Sequence, residues 1–220
     1  MEIKRIIFDL DNTLIDWKSE YSSAIAKTFE QLNIKYTKQD VEAIDNAILI
    51  YESGIFLTYK KEDMQKTFEK ELGHTLPKEF IDICLKNFAE CVPEQIELNT
   101  IKTLEYLKEK YDLVVLTNWF KKGQVERLRK TNILKFFTEV YAPEDFPMKP
   151  NKKSFNMSRG KFKIEECLMV GDDIKIDIEG ALDAGMKAIY LNKRNNQVLT
   201  LSNKNFIKTI HNLSELMFIL

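Results

Sequence analysis

The 220-residue chain has the composition of an ordinary globular protein, with 44% hydrophobic and 30% charged residues. Its formal net charge of -1 provides no overall attraction to nucleic acid polymers or anionic membranes. No apolar run reaches the ~20 residues that a membrane span requires, and the first residues do not resemble a signal peptide. We therefore expect a cytoplasmic protein, either a monomer or a homodimer, that binds neither nucleic acid nor membrane.

Four short apolar runs predict buried strands of a parallel sheet. They cover residues 4–8, 113–116, 167–170 and 188–191, and weaker candidates lie at 139–141 and 206–207. Helical patterns occupy residues 121–131, 151–160 and 174–185, and the last of them ends at Gly185. Strands that alternate with helices predict an α/β fold, with an open parallel sheet and helices on both of its faces.

The connection between the first two strands is far longer than one crossover helix requires. Apolar side chains recur in it at helical spacing in four segments, at residues 17–32, 41–51, 64–72 and 80–91. Four amphipathic helices can bury one another's apolar faces, so this segment is predicted to be an inserted helical domain. We place this cap domain at residues 17–96 and the sheet-containing core at residues 1–16 and 97–220.

Polar side chains follow several predicted strands, at the edge where open parallel sheets bind ligands. They are Asp9 and Asp11 after the first strand, Thr117 and Asn118 after the second, Lys149 in a later loop, and Asp172, Asp173 and Asp177 after the strand at 167–170. Converging carboxylates favour a hard cation such as Mg²⁺. Of two carboxylates spaced as Asp9 and Asp11 are, one can attack phosphorus while the other transfers protons. A hydroxyl and an ammonium group can stabilise the phosphoryl oxygens.

This ordered set resembles the four motifs of the haloacid dehalogenase superfamily, and in particular of its phosphatases. Residues 8–14 resemble the first motif, D-x-D-x-T, residues 116–118 the second, 149–150 the third, and 170–173 with Asp177 the fourth. The resemblance implies a Rossmann-like core in which Asp9 is the nucleophile and Asp11 the acid/base. It also implies Mg²⁺ bound by the carboxylates of Asp9 and Asp172 and by the main-chain carbonyl of Asp11.

The same resemblance suggests roles for the remaining polar residues. Thr117, Asn118 and Lys149 would hold the transferring phosphoryl group, and Asp177 would position Lys149 or the surroundings of the metal. Asp173 is expected to contact the metal ligands and not the metal itself. The inserted helices resemble the cap of one large branch, in which the small-metabolite phosphatases of the pyrimidine 5′-nucleotidase type are most similar. Trp119, where relatives often have a small residue, is either a substrate contact or a residue packed against the cap.

These features predict a magnesium-dependent phosphatase that hydrolyses a small phosphomonoester, such as a nucleotide or sugar phosphate, through an aspartyl phosphate on Asp9. A phosphosugar mutase would share Asp9 and Asp11, and only its products would distinguish it. A 2-haloacid dehalogenase needs neither Asp11 nor magnesium, so Asp11 counts against that activity. A phosphate-accepting receiver domain is much shorter than this chain and has no helical insertion.

Overall fold

The core is built on a six-stranded sheet in the order β3-β2-β1-β4-β5-β6, with every neighbouring pair parallel. The computed structural model describes residues 2–16, 21–93, 95–144, 146–195 and 197–220, with the backbone alone for 54 and 55. The strands are β1 (Arg5–Phe8), β2 (Asp112–Leu116), β3 (Glu139–Tyr141), β4 (Cys167–Gly171), β5 (Lys187–Leu191) and β6 (Phe206–Ile210). The predicted α/β fold is confirmed, including both weaker strands.

After the charged first residues of β1 and β2, Arg5 and Asp112, the central strands are apolar because both faces of the sheet are covered. Successive side chains of a strand point to opposite faces. Ile6 and Phe8 accordingly belong to one hydrophobic cluster and Ile7 to another, and all three are fully buried. The chain runs outward from β1 to β3 and then returns to β4 on the other side of β1. The carboxyl ends of β1 and β4 therefore form the crevice in which such sheets bind ligands.

Helices cover the sheet on both sides. The cluster that contains Ile6 is completed by α5 (Leu98–Lys108), α6 (Lys121–Lys130) and α9 (Leu216–Ile219). The opposite cluster is completed by α7 (Lys152–Ser158), a π-helical segment (Ile174–Glu179) and α8 (Gly180–Asp183). The helix predicted at 174–185 thus begins as a π-helix, and it is followed by Gly185 at φ 88°. None of the described helices is long and apolar enough to cross a membrane.

Among the described residues, four helices separate β1 from α5. They are α1 (Tyr21–Gln31), α2 (Lys38–Ile50), which a π-helical segment (Tyr51–Ile55) extends, α3 (Lys61–Leu72) and α4 (Phe80–Phe88). Their buried apolar faces form one cluster, as the helical spacing predicts, although the predicted contribution of Trp17 lies outside the described residues. Trp119, Phe120 and Met148 of the core belong to the same cluster, so the domain boundaries stay a prediction.

Phe155→Ala is expected to lower the free energy of unfolding by about 3–5 kcal/mol, because it removes a fully buried ring from the cluster around Ile7. Denaturation with urea would measure the loss. Phe218→Ala is the matched control, since its ring is 87% exposed and surface changes usually stay within about 0.5 kcal/mol. Equal effects of the two substitutions would contradict this assignment of the core.

Candidate active site

Lys149 is buried at the carboxyl ends of β1 and β4, where its ammonium group bridges two carboxylates. Its Nζ lies 2.6 Å from Asp9 Oδ1 and 2.7 Å from Asp177 Oδ1, and its side chain is 2% exposed. Burial alone would lower the pKa of Lys149, but the charges of Asp177 and Asp9, and hydrogen bonds to them, raise it. Lys149 therefore stays protonated and offsets the charge of the buried acids.

Asn118 fixes the main chain of Lys149. The Lys149 backbone N–H donates to Asn118 Oδ1 at 2.8 Å, and Asn118 Nδ2 donates to the Lys149 carbonyl at 2.9 Å. These two bonds fasten the loop of Lys149 to the end of β2. The contact predicted between Asn118 and a phosphoryl group stays a prediction, because the described hydrogen bonds of its side chain go to Lys149.

Asp177 reaches the site because the π-helical segment begins almost directly after β4. Its Oδ2 accepts a hydrogen bond from the Asp173 backbone N–H at 3.2 Å. Asp173 caps this segment, since its Oδ1 accepts from the backbone N–H groups of residues 175 and 176, both at 2.8 Å. Gly171 provides the space for Asp177, because a Cβ at position 171 would overlap the Asp177 side chain. Asp173 and Gly171 thus place Asp177 against Lys149.

Asp9, Asp172 and Asp177 form a carboxylate cluster in which each residue offers an oxygen within 4.8 Å of the others. Burial raises the pKa of Asp9 to about 7, in spite of the nearby charge of Lys149. Burial and the charge of Asp9 raise the pKa of Asp172 to about 6, and burial also raises the pKa of Asp177. A hard divalent cation fits this cluster, because one ammonium group cannot neutralise three acids.

Asp11 lies apart from this cluster in its side-chain contacts. Its Oδ1 pairs with Arg127 Nη1, and its Oδ2 accepts from Gln124 Nε2 at 2.8 Å. Gln124 Nε2 also donates to Thr117 Oγ1 at 2.8 Å, so the network joins two residues that the sequence predicts in the site. Arg127 and Gln124 were not predicted from the sequence as site residues. Their only signal is two long polar side chains three residues apart on the helix that follows Thr117 and Asn118.

A cavity of about 430 Å³ opens beside Asp11 and extends between the core and the helices of the cap. We call it the cap pocket; it is lined by Asp11, Asn12, Asn118 and Trp119 of the core and by Tyr21, Ser22, Asp45, Leu49 and Glu52 of the inserted helices. Burial and the charges of Asp11 and Asp45 raise the pKa of Glu52 to about 7. The pocket therefore presents acceptor groups close to the predicted acid/base.

Trp119 forms part of the wall of the cap pocket and is 5% exposed. The centroid of its ring lies 6.1 Å from those of Tyr21 and Phe88 and 6.0 Å from that of Tyr59. Trp119 thus packs against the inserted helices and also faces the pocket. The two alternatives that the sequence offers for it are compatible, and a contact with substrate stays a prediction.

Comparison with known proteins agrees with this arrangement. Residues 6–191 match the family of haloacid dehalogenase-like hydrolases. The chain belongs to this family. The match spans the strands β1 to β5 and the inserted helices, and it confirms the family that the four motifs predict.

Several known proteins match this chain along most of their length. Pyrimidine 5′-nucleotidase YjjG of Escherichia coli (strain K12) is 25% identical over 196 residues, which cover 85% of each chain. N-acylneuraminate-9-phosphatase of Rattus norvegicus is 25% identical over 215 residues, which cover 91% of this chain and 87% of the relative. The magnesium-bound crystal structure of HAD-hydrolase YfnB from Bacillus subtilis has the same fold, with a TM-score of 0.72 at 24% sequence identity. The superposition covers 100% of this chain and 99% of the YfnB chain.

Asp172→Asn is expected to stabilise the metal-free protein near pH 8 by about 1–3 kcal/mol and to change little near pH 4. The fold raises the pKa of Asp172 from 3.8 to about 6, so it favours the protonated acid. The wild type therefore loses stability as the pH rises through that range, and asparagine does not ionise. Urea denaturation in the presence of EDTA measures both values.

The control for this comparison is Asp183→Asn, which removes an exposed carboxylate on α8 outside the site. It is expected to leave the pH dependence of the unfolding free energy unchanged. Identical pH profiles for wild type and Asp172→Asn would show that Asp172 does not experience the environment described above.

Proposed function

We propose that this protein is a magnesium-dependent phosphatase that hydrolyses small phosphomonoesters, with Asp9 as its nucleophile. The observation that carries the proposal is the setting of the Asp9 carboxylate. Its Oδ1 is held by Lys149 at 2.6 Å, and its Oδ2 has no hydrogen-bond donor among the described residues. One oxygen is thus fixed while the other is available to attack phosphorus, next to Asp172.

The groups around Asp9 can stabilise the negative charge on the oxygens of a phosphoryl group under attack. Mg²⁺ held by Asp9 and Asp172, with the main-chain carbonyl of Asp11, would neutralise these acids and the phosphoryl oxygens. Lys149 would supply a fixed positive charge to the same oxygens. Thr117 Oγ1 accepts its hydrogen bond from Gln124, so the proton of its own hydroxyl is available for donation to a phosphoryl oxygen.

The reaction proposed for this site has two steps. In the first, a carboxylate oxygen of Asp9 forms a bond to phosphorus, the bond to the leaving oxygen breaks, and Asp11 gives that oxygen a proton. In the second, Asp11 takes a proton from a water molecule, whose oxygen forms a bond to phosphorus as the bond between phosphorus and Asp9 breaks; this releases phosphate and restores the Asp9 carboxylate. Asp11 can act in both steps because it follows Asp9 by two residues and lines the cap pocket.

The organic part of the substrate would occupy the cap pocket. Its volume of about 430 Å³ lies within the range of small-molecule sites. The names of two relatives, a pyrimidine 5′-nucleotidase and an N-acylneuraminate-9-phosphatase, support phosphate esters of small metabolites as the substrate class. Tyr21 and Trp119 provide flat apolar surface in this pocket, while Asp45 and Glu52 can accept hydrogen bonds from hydroxyl or amino groups.

Asp9→Asn is expected to lower kcat with 4-nitrophenyl phosphate by at least about 1,000-fold, because the amide replaces the nucleophilic oxygen. EDTA should abolish the activity of the wild type, and Mg²⁺ should restore it. Released phosphate is measured, which also separates a phosphatase from a mutase that only rearranges sugar phosphates. Asp183→Asn is the control, and a wild type inactive on aryl phosphates, nucleotides and sugar phosphates with Mg²⁺ would overturn the proposal.

At pH 8.5, above the pKa of about 7 that burial gives Glu52, Glu52→Gln is expected to raise kcat/KM for 3-phosphoglycerate relative to glycerol 3-phosphate by about 5-fold, because it removes a negative charge from the cap pocket. The two substrates differ in the carboxylate of the leaving group, which Glu52 would repel. Glu42→Gln is the matched control on α2, the helix that the π-helical segment of Glu52 extends; the side chain of Glu42 is 58% exposed and pairs with Lys38. An unchanged ratio would remove Glu52 from the substrate pocket.

A further inference from the structure

The side chains of Arg127 and Gln124 both donate hydrogen bonds to the carboxylate of Asp11. They lie three residues apart on α6, and each donates to a different oxygen of Asp11. Gln124 Oε1 also accepts from Arg127 Nη1 at 2.8 Å. Chemistry fixes the orientation of the Gln124 amide, since a guanidinium only donates and a carboxylate only accepts. The two donors and their acceptors therefore form one connected network.

Burial in this network is uneven. Gln124 is 0% exposed, Arg127 and Thr117 are each 2% exposed, and the side chain of Asp11 is 30% exposed. An apolar side chain would fill the positions of Gln124 and Arg127 without the desolvation that a buried guanidinium and amide require. The buried side chains of Arg127 and Gln124 thus bind the carboxylate of Asp11, which is the member of the network that lines the cap pocket.

We propose that Arg127 and Gln124 are positioning residues that hold the Asp11 carboxyl group for proton transfer to the leaving oxygen. This role rests on the phosphatase activity proposed above. Two donors attached to one rigid helix fix the plane of the carboxyl group, whereas a single donor would leave it free to rotate. Neither Arg127 nor Gln124 needs to touch the substrate.

The proton balance of this step is compatible with the network. Each oxygen of Asp11 has two lone pairs, and the bonds from Arg127 and Gln124 occupy one on each oxygen. The other lone pair can bear the proton. As Asp9 forms its bond to phosphorus, the proton moves from Asp11 to the departing oxygen, and Asp11 becomes a carboxylate. Gln124 also orients the hydroxyl group of Thr117. Because Gln124 donates to Thr117 Oγ1, the hydroxyl proton of Thr117 points away from α6.

The test compares two substrates that differ in their need for a proton. Phenyl phosphate and 4-nitrophenyl phosphate share a ring, but 4-nitrophenolate departs readily without protonation. Arg127→Met is expected to lower kcat/KM at least about 30-fold for phenyl phosphate and less than about 3-fold for 4-nitrophenyl phosphate. We choose kcat/KM because it reports only the steps up to release of the phenol. Hydrolysis of the aspartyl phosphate, which is the same for both substrates, does not contribute to it.

Four further variants make the test specific. Asp11→Asn should show the same discrimination between the substrates, and the double variant Asp11→Asn with Arg127→Met should lose little more. Arg127→Lys, which keeps a donor, should recover part of the loss with phenyl phosphate. Arg129→Met is the matched control, because Arg129 lies on the same helix with its side chain 59% exposed and paired with Glu126.

The outcomes separate this inference from the proposed function. Equal losses with both substrates, or no loss with either, would overturn the positioning role while the wild type still hydrolyses both. A wild type that hydrolyses no phosphate ester would overturn the proposed function itself. Should Arg127→Met fail to fold by circular dichroism, Arg127→Lys and Gln124→Leu decide, since a positioning role requires a greater loss with phenyl phosphate in each.

Discussion

The buried ammonium group of Lys149 is the feature on which the site depends. Asp9 and Asp177 contact it directly, and Asp172 lies within the same cluster. Carboxylates removed from water repel one another strongly unless a cation stands between them. Lys149 supplies this cation from a third loop. Asn118, in a fourth loop, fixes the main chain of Lys149. The ends of β1, β2 and β4 are thereby joined around a single charge.

Much of this could be predicted from the sequence because parallel sheets impose simple rules. Uninterrupted apolar runs give the central strands, and polar residues directly after them meet at one edge. Asp9, Thr117 and Asp172 could be placed together for that reason. The edge strand β6 gave a weaker signal, since Ile207 and Lys208 are exposed and only part of the strand is apolar.

Other parts of the site depend on tertiary packing that periodicity does not encode. Arg127 and Gln124 are polar residues of an ordinary helix until the rotation of α6 turns them toward Asp11. Glu52 comes to line the cap pocket with Asp11 through the packing of the inserted helices against the core. The π-helical start after β4 likewise has no signature in residue spacing, although it determines where Asp177 points.

Trp119 links the chemistry of the core to the inserted helices. It follows Thr117 by two residues, yet its ring is packed among Tyr21, Tyr59 and Phe88. Any movement that separates these rings must transfer the indole from an aromatic environment into water, and its emission then shifts to longer wavelength. Since the chain contains one other tryptophan, replacing Trp17 would leave Trp119 as the single tryptophan reporter, in the wall of the cap pocket.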